Sequence, residues 1–335
     1  MSVPTREQNT ENVYLKRAQG RLWAYLSDTG NDWDLNKNDL VRWLEAYRET
    51  ISKASWRQNR AALVWYMKSI ADESQLAGTI SDIGTFACKE PTQTSATKKK
   101  SLSEKDSEAL TEALLASHER HLKRGGSELD SLALSTLLFL GATEITGLRP
   151  SEWWGAILLM PGDVDADGET VDKITLIVKN GKATNGRAHG ANRTLRFTDL
   201  DQEKEFTLLT HYRSVKLKQS KESFEDYYKA CKDRMTYTTR HLWPKRKRQP
   251  VLYSGRHQFS ANLKKAQTPL KNLAALMGHG SDATATSHYG KKRYGRGNET
   301  GVEADLEEVE RIREKAKPAY SDQSKIVPEA NPLQR

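Results

Sequence analysis

Four short stretches of this 335-residue chain hold residue types that can grip a phosphate or attack one. The first is Thr146-Gly147-Leu148-Arg149-Pro150-Ser151-Glu152, which follows a strongly apolar run. An arginine there needs an anionic partner, because it does not shed its proton. Glu152, three residues on, can supply one locally on a single helical turn, so a structural ion pair and a bound anion both fit. The second stretch, Tyr253-Ser254-Gly255-Arg256-His257-Gln258-Phe259, again sets an arginine at the start of a half-apolar helix. The third, Leu276-Met277-Gly278-His279-Gly280, frames a histidine with glycines, and the fourth, Ser287-His288-Tyr289-Gly290, follows ten residues beyond His279. A lone histidine or tyrosine is ordinarily a packing residue. Taken together, the types suit phosphoryl transfer. Guanidinium forks bind non-bridging oxygens bidentately, an imidazole adds a hydrogen bond, and an ionised phenol can attack.

The elements that must position these residues are mostly helical. Residues 10–86 keep a helical period: Leu15, Ala18, Leu22, Tyr25 and Leu26 form one stripe, closed by Gly30. Leu40, Val41, Leu44 and Tyr47 form a second, and Ser55 is expected to cap a third helix carrying Trp56, Leu63, Tyr66, Met67 and Ile70. Arg57, Arg60 and Lys68 fall on that helix's other face, which suits a DNA contact and a solvated face equally. Glu90–Lys100 (EPTQTSATKKK) has a linker's composition. Beyond it, Ser103-x-x-Asp106 and Ser127-x-x-Asp130 each open a helix, and LALSTLLFLGATEITGL is apolar on nearly every face, as a buried central helix is. AILLM, KITLIVK and TLRF read as short strands around turn chemistry, and helices resume from Glu203. Val302, Leu306, Val309 and Ile312 predict one amphipathic helix over 302–317 that docks on its own domain or on a neighbouring subunit. The expected fold is mainly α with a small antiparallel sheet. Its expected parts are a helical domain (1–89), a basic linker (90–102), a second domain (103–295) and a tail (296–335).

The length suits two domains. No run approaches the about 18 apolar residues of a membrane span, and the N-terminus has no apolar core of a secretory signal, so a cytoplasmic location is expected. Two cysteines, Cys88 and Cys231, give no disulfide framework, and no Cys/His cluster has zinc spacing. Net charge is +9, from 53 Lys and Arg against 44 Asp and Glu, and its distribution matters more than its sum. Arg240–Arg248 (RHLWPKRKR), Lys98-Lys99-Lys100 and Lys291-Lys292-Arg293 are basic runs without an acid. Each alone fits a solvated face, while several together favour a polyanion, nucleic acid foremost.

In order and spacing the four stretches resemble the tyrosine recombinases, the phage-integrase family, over residues 104–295. The helical module matches that family's core-binding domain by type only. The resemblance implies a C-shaped clamp on double-stranded DNA at a specific site and a tetramer in the synaptic complex, with no cofactor and no metal. It implies that Tyr289 attacks the backbone to leave a 3′-phosphotyrosine, that Arg149 and Arg256 hold the phosphate, and that His279 adds a hydrogen bond. The family's general acid is a hairpin lysine. Lys182, in the Gly/Asn-rich turn, is the first choice and Lys179 the second, although either also fits a backbone contact or a solvated turn. Glu152 is expected to orient the arginines or the turn. Arg57, Arg60, Lys98, Lys99 and Lys100 are the expected DNA contacts. One departure stands out: the family places His or Lys three residues before its second arginine, and this chain has Tyr253, which can hold the position but is a poor base near neutrality. Three other readings remain. They are a topoisomerase or telomere resolvase of the same chemistry, a catalytically silent DNA-binding regulator with the same fold, and a generic basic helical protein.

Overall fold

The computed structural model describes residues 8–89, 99, 101–181, 189–284, 289–296 and 301–314. The chain divides into two compact units, Met1–Lys98 and Lys99–Arg335.

The first unit is a helical bundle of α1 (Gln8–Thr29), α2 (Lys37–Thr50), α3 (Lys53–Ser69) and α4 (Ser74–Asp82). Ala18, Leu22, Tyr25, Leu40, Leu44, Trp56, Leu63 and Met67 lie in its core, as the helical period requires, whereas Leu26 and Ile70 are exposed. Ser52, not Ser55, caps α3: its hydroxyl accepts from the Ser55 amide. Arg60 corrects the expected basic face. Its guanidinium donates to the carbonyls of Ser81 (3.1 Å) and Ile83 (2.8 Å), where α4 ends and carbonyls lack helical partners. Arg57 is exposed on α3.

The second unit is built on α6 (Leu132–Thr146), which packs against α5 (Glu104–Lys123), α7 (Gln202–Gln219), α8 (Phe224–Leu242) and α9 (Ser254–Lys265). Its buried position follows from a sequence that is apolar all round. Ser131 caps its start, and Gly147, at φ +66°, ends it. A short helix, α10 (Leu270–Leu276), follows α9. Beside the helices lies an antiparallel sheet in the order β1 (Ile157–Leu159), β2 (Ile174–Lys179), β3 (Asn192–Phe197), β4 (Val302–Ala304). The described chain is thus mainly helical with one small antiparallel sheet. No described helix is long and apolar enough to cross a membrane.

The fourth strand overturns the expected 302–317 helix. Val302 and Ala304 pack inward while Glu303 points out, a period of two, and they pair with Phe197 and Leu195 of β3. Among the described residues of that span, only Leu306–Glu310 is helical (α11), with Asp305 as its cap. Leu306 is 79% exposed, so it does not belong to the inward stripe that the helical reading gave it. Ile312 is buried in the core, and the Arg313 amide and guanidinium both donate to Gly280 O. The segment 301–314 is therefore part of this unit's own core, not a free tail.

Candidate active site

The 3₁₀ turn Pro150–Gly155 follows directly from the end of α6 and sets Arg149 at its cap. Glu152 folds back so that its Oε2 accepts from the Arg149 amide (2.6 Å) and its Oε1 from Arg149 Nη1 (2.5 Å). The local pair is thus real, but it is a fraction of what Glu152 does. Oε1 also accepts from the Gly181 amide (3.1 Å), at the mouth of the β2–β3 hairpin, and Oε2 accepts from Arg193 Nη2 (2.7 Å). Burial pushes the Glu152 carboxyl up. The charge of Arg193, then that of Arg256, a hydrogen bond from Arg193 and the charge of Arg149 outweigh this and hold it well below the usual carboxylate range.

Arg256 lies in the first turn of α9 and is fully buried. Its Nη1 donates to Gly147 O and its Nη2 to Met277 O (2.6 Å), the carbonyls at the ends of α6 and α10. These are the negative ends of two helices, which helps explain how a guanidinium is tolerated in a core. Nη2 also stands 3.3 Å from His279 Nε2 and 3.5 Å from Tyr289 Oη, and Glu152 Oε2 lies 3.8 Å from Nη1.

His279 leaves α10 through Gly278, at φ +64°. A Cβ at Gly278 would stand 2.5 Å from Asn180 Oδ1 and 2.8 Å from Arg193 Nη1, so the hairpin mouth sits directly on this turn. Burial, then the charges of Arg256, Arg149 and Arg193, push the His279 imidazole down to about 2, so it is neutral. Since Arg256 can only donate, Nε2 accepts from it.

Tyr289 is held from its C-terminal side. Gly290 presses on α9, where a Cβ would stand 2.2 Å from His257 O, and Lys264 Nζ donates to Gly290 O (2.8 Å). The Tyr289 ring lies between His279 (centroids 4.9 Å apart) and His257 (5.3 Å). Its Oη is 3.3 Å from that of Tyr253, the residue that caps α9. Burial pushes the Tyr289 phenol up, but the Arg256 charge, hydrogen bonds from Tyr253 and Arg256 and the Arg149 charge outweigh it. Its pKa therefore lies below the ordinary phenol value. Tyr253 moves the other way, up to about 12. Burial dominates, with the Tyr289 charge and hydrogen bond adding to it against the lowering charge of Arg256. Within this pair Tyr253 keeps its proton and donates, and Tyr289 is the phenol that ionises.

Arg149, Glu152, Tyr253, Arg256, His279 and Tyr289 therefore meet in one place, although they come from four separated stretches of chain. Three guanidiniums, those of Arg149, Arg193 and Arg256, share a single carboxylate, which leaves a surplus of positive charge beside Tyr289. Lys179 is exposed at the end of β2. Lys182, Lys98 and Lys100 lie outside the described residues. Lys99 is not a free cation for DNA: it pairs with buried Asp106, and its main chain bonds to Gln249 O (2.9 Å) and the Ser254 hydroxyl (2.6 Å).

Three members were not singled out from the sequence: Arg193, Asn180 and His257. Arg193 had a usable signal. It shares its strand face with Leu195 and Phe197, and all three are buried. Starting the strand at Thr194 left Arg193 in the preceding loop. Among the described residues no group of three or more His, Cys, Asp or Glu side chains is placed to hold a metal ion. A scan against protein-family models and a search of curated proteins gave no match to the chain.

Proposed function

We propose that the Lys99–Arg335 unit cleaves and rejoins double-stranded DNA as a tyrosine site-specific recombinase does, with Tyr289 as the nucleophile. The observation that carries this is the position of Tyr289 Oη, 3.5 Å from a fully buried guanidinium and 3.3 Å from the Tyr253 hydroxyl. A purely structural tyrosine has no need of surplus positive charge beside it. A phosphodiester supplies the missing anion.

In this reaction the Tyr289 oxygen attacks phosphorus and the bond from phosphorus to the 5′ oxygen breaks. Tyr289 loses its proton to solvent, and the leaving 5′ oxygen gains one from the hairpin lysine, with Lys182 the first choice and Lys179 the second. Arg149 and Arg256 stabilise the charge on the non-bridging oxygens; such placed donors contribute about 3 kcal/mol each in comparable sites. Neutral His279 donates to the same phosphate from Nε2 once the oxygens displace its contact with Arg256 and the imidazole proton moves from Nδ1 to Nε2. Tyr253 takes the place of the family's histidine or lysine as a donor to the Tyr289 phenolate, without a proton-shuttling role. Glu152 orients the arginines and the hairpin. The first unit and the 90–102 linker complete a clamp on the duplex, with Arg57 as an exposed contact, and four protomers assemble on two sites in the cytoplasm.

The test is a duplex selected for binding from a randomised pool and nicked next to the scissile phosphate, so that cleavage traps the adduct. A covalent adduct that disappears in Tyr289→Phe supports the recombinase. Tyr253 also fits a catalytically silent DNA-binding regulator, and specific binding without an adduct would select that reading.

A further inference from the structure

Arg193 is the largest charged group of the site that the proposed chemistry does not use. It is fully buried, and its guanidinium makes three directed bonds. Nη2 donates to Glu152 Oε2 (2.7 Å), Nη1 to Asn180 Oδ1 (2.6 Å) and Nε to Leu276 O (3.0 Å). Asn180 in turn closes the hairpin mouth, donating from Nδ2 to Gly190 O (2.9 Å) and Asn192 O (3.1 Å). Arg193 thus joins the Glu152 turn, the hairpin root and the end of the helix that leads to His279.

The two oxygens of Glu152 are not equivalent. Oε1 is satisfied by Arg149 Nη1 and the Gly181 amide. Oε2 has the Arg149 amide and Arg193, and Arg256 Nη1 stands 3.8 Å away. Without Arg193, this buried carboxylate oxygen would keep the Arg149 amide and have the Arg256 guanidinium 3.8 Å away. A buried charge that loses its partner seeks another. Arg256 turning toward Oε2 would draw its Nη2 away from Tyr289 and from the phosphate.

We infer that Arg193 is a positioning residue: it occupies Glu152 Oε2 and so leaves the Arg256 guanidinium aimed at the Tyr289 hydroxyl and the scissile phosphate. The inference rests on the recombinase reading of the site. It assigns Arg193 no contact with DNA, which separates it from Arg149 and Arg256.

The test measures single-turnover adduct formation at saturating selected duplex, together with duplex affinity and near-ultraviolet circular dichroism. Arg193→Met is expected to slow adduct formation about 100-fold while affinity stays within about three-fold, because DNA does not touch it. Arg193→Lys keeps a cation opposite Oε2 and should lose less than about ten-fold. In a Glu152→Gln background the carboxylate is gone, so adding Arg193→Met should cost no more than about three-fold. That double variant decides the matter even where Arg193→Met fails to fold. A further loss of about ten-fold or more on adding Arg193→Met to Glu152→Gln, with a native spectrum, overturns the inference. So does an Arg193→Met protein that cleaves like the wild type. A wild-type protein that binds the duplex and forms no adduct fails the recombinase reading first and takes this inference with it.

Discussion

Two regions of the second unit are rich in arginine, and they are built in opposite ways. The run Arg240–Arg248 is the most conspicuous basic stretch of the sequence, yet Arg240, Lys245, Lys247 and Arg248 are exposed there. Arg246 is the engaged member, paired with Asp106 (3.0 Å) and lying over the Trp243 ring (4.2 Å). Around Glu152, by contrast, three arginines come from separate segments, two of them fully buried, and each is fixed by named partners. Exposed charge of the first kind is screened by salt and contributes mainly encounter and non-specific affinity. Buried charge of the second kind holds a fixed field where a reacting anion would sit. On the proposed function, the charge run is where the polyanion would land, and the isolated arginines in apolar surroundings are where it would react.

The comparison can be broken by substitution. The largest effect belongs to the buried cluster: Arg256→Ala or Arg149→Ala should slow adduct formation by about 100- to 1000-fold at saturating DNA, measured by single-turnover cleavage. Arg256→Lys should do little better, since a single ammonium nitrogen lacks the planar fork that reaches Gly147 O and Met277 O from two separate nitrogens. Tyr253→Phe should cost about ten-fold and move the alkaline rise of the cleavage rate to higher pH. It removes a donor that lowers the Tyr289 phenol, so ionisation needs a higher pH. A cleavage rate unchanged in Tyr253→Phe removes even its positional role.

On the exposed side, replacing Lys245, Lys247 and Arg248 together by alanine should weaken all duplexes alike. The slope of log affinity against log salt should drop by about 3 or less, with cleavage at saturation unchanged. A large loss of saturated cleavage would erase the distinction between the two regions.

A second pair of buried groups sharpens the same point for stability. His211 lies edge-on to Trp153 (4.5 Å) and Phe139 (4.9 Å), and burial alone pushes it down to about 3. The unfolded chain takes up a proton near pH 6.5 that folded His211 refuses. Its stabilising contribution is therefore complete above that pH and falls by about 1.4 kcal/mol per unit as pH drops toward 3. Thermal unfolding of His211→Leu between pH 4 and 7 should show a pH dependence shallower by about one proton. His279 is depressed as well, but with three arginines among the causes, so a bound phosphate should raise it and leave His211 unchanged.

Much of this arrangement is legible in the sequence because periodicity reports burial. The all-apolar run before Gly147 reads as the central helix, and the short apolar or β-branched runs at 157–159 and 174–179 read as strands. Arg149, Glu152, Arg256, His279 and Tyr289 are visible because each stands next to glycine or at the edge of an apolar segment. What escapes are features decided by partners far along the chain. Val302 fits a helical stripe with Leu306, Val309 and Ile312 as well as it fits a strand face with Ala304, and only the free edge of β3 settles the matter. Arg60 and Lys99 look like DNA contacts until the carbonyls at the end of α4 and the Asp106 carboxylate are seen beside them. The strand face that Arg193 shares with Leu195 and Phe197 signals its burial but not its role, which exists only where three segments meet.

The claim on which all of this turns is that Tyr289 becomes covalently joined to DNA. It is tested most directly by trapping the protein on nicked, selected duplex, digesting both components and sequencing the adduct by mass spectrometry. The account predicts a nucleotide attached through its 3′-phosphate to Tyr289, absent from Tyr289→Phe. A specifically bound duplex with no covalent species, or an adduct on any other residue, would contradict it.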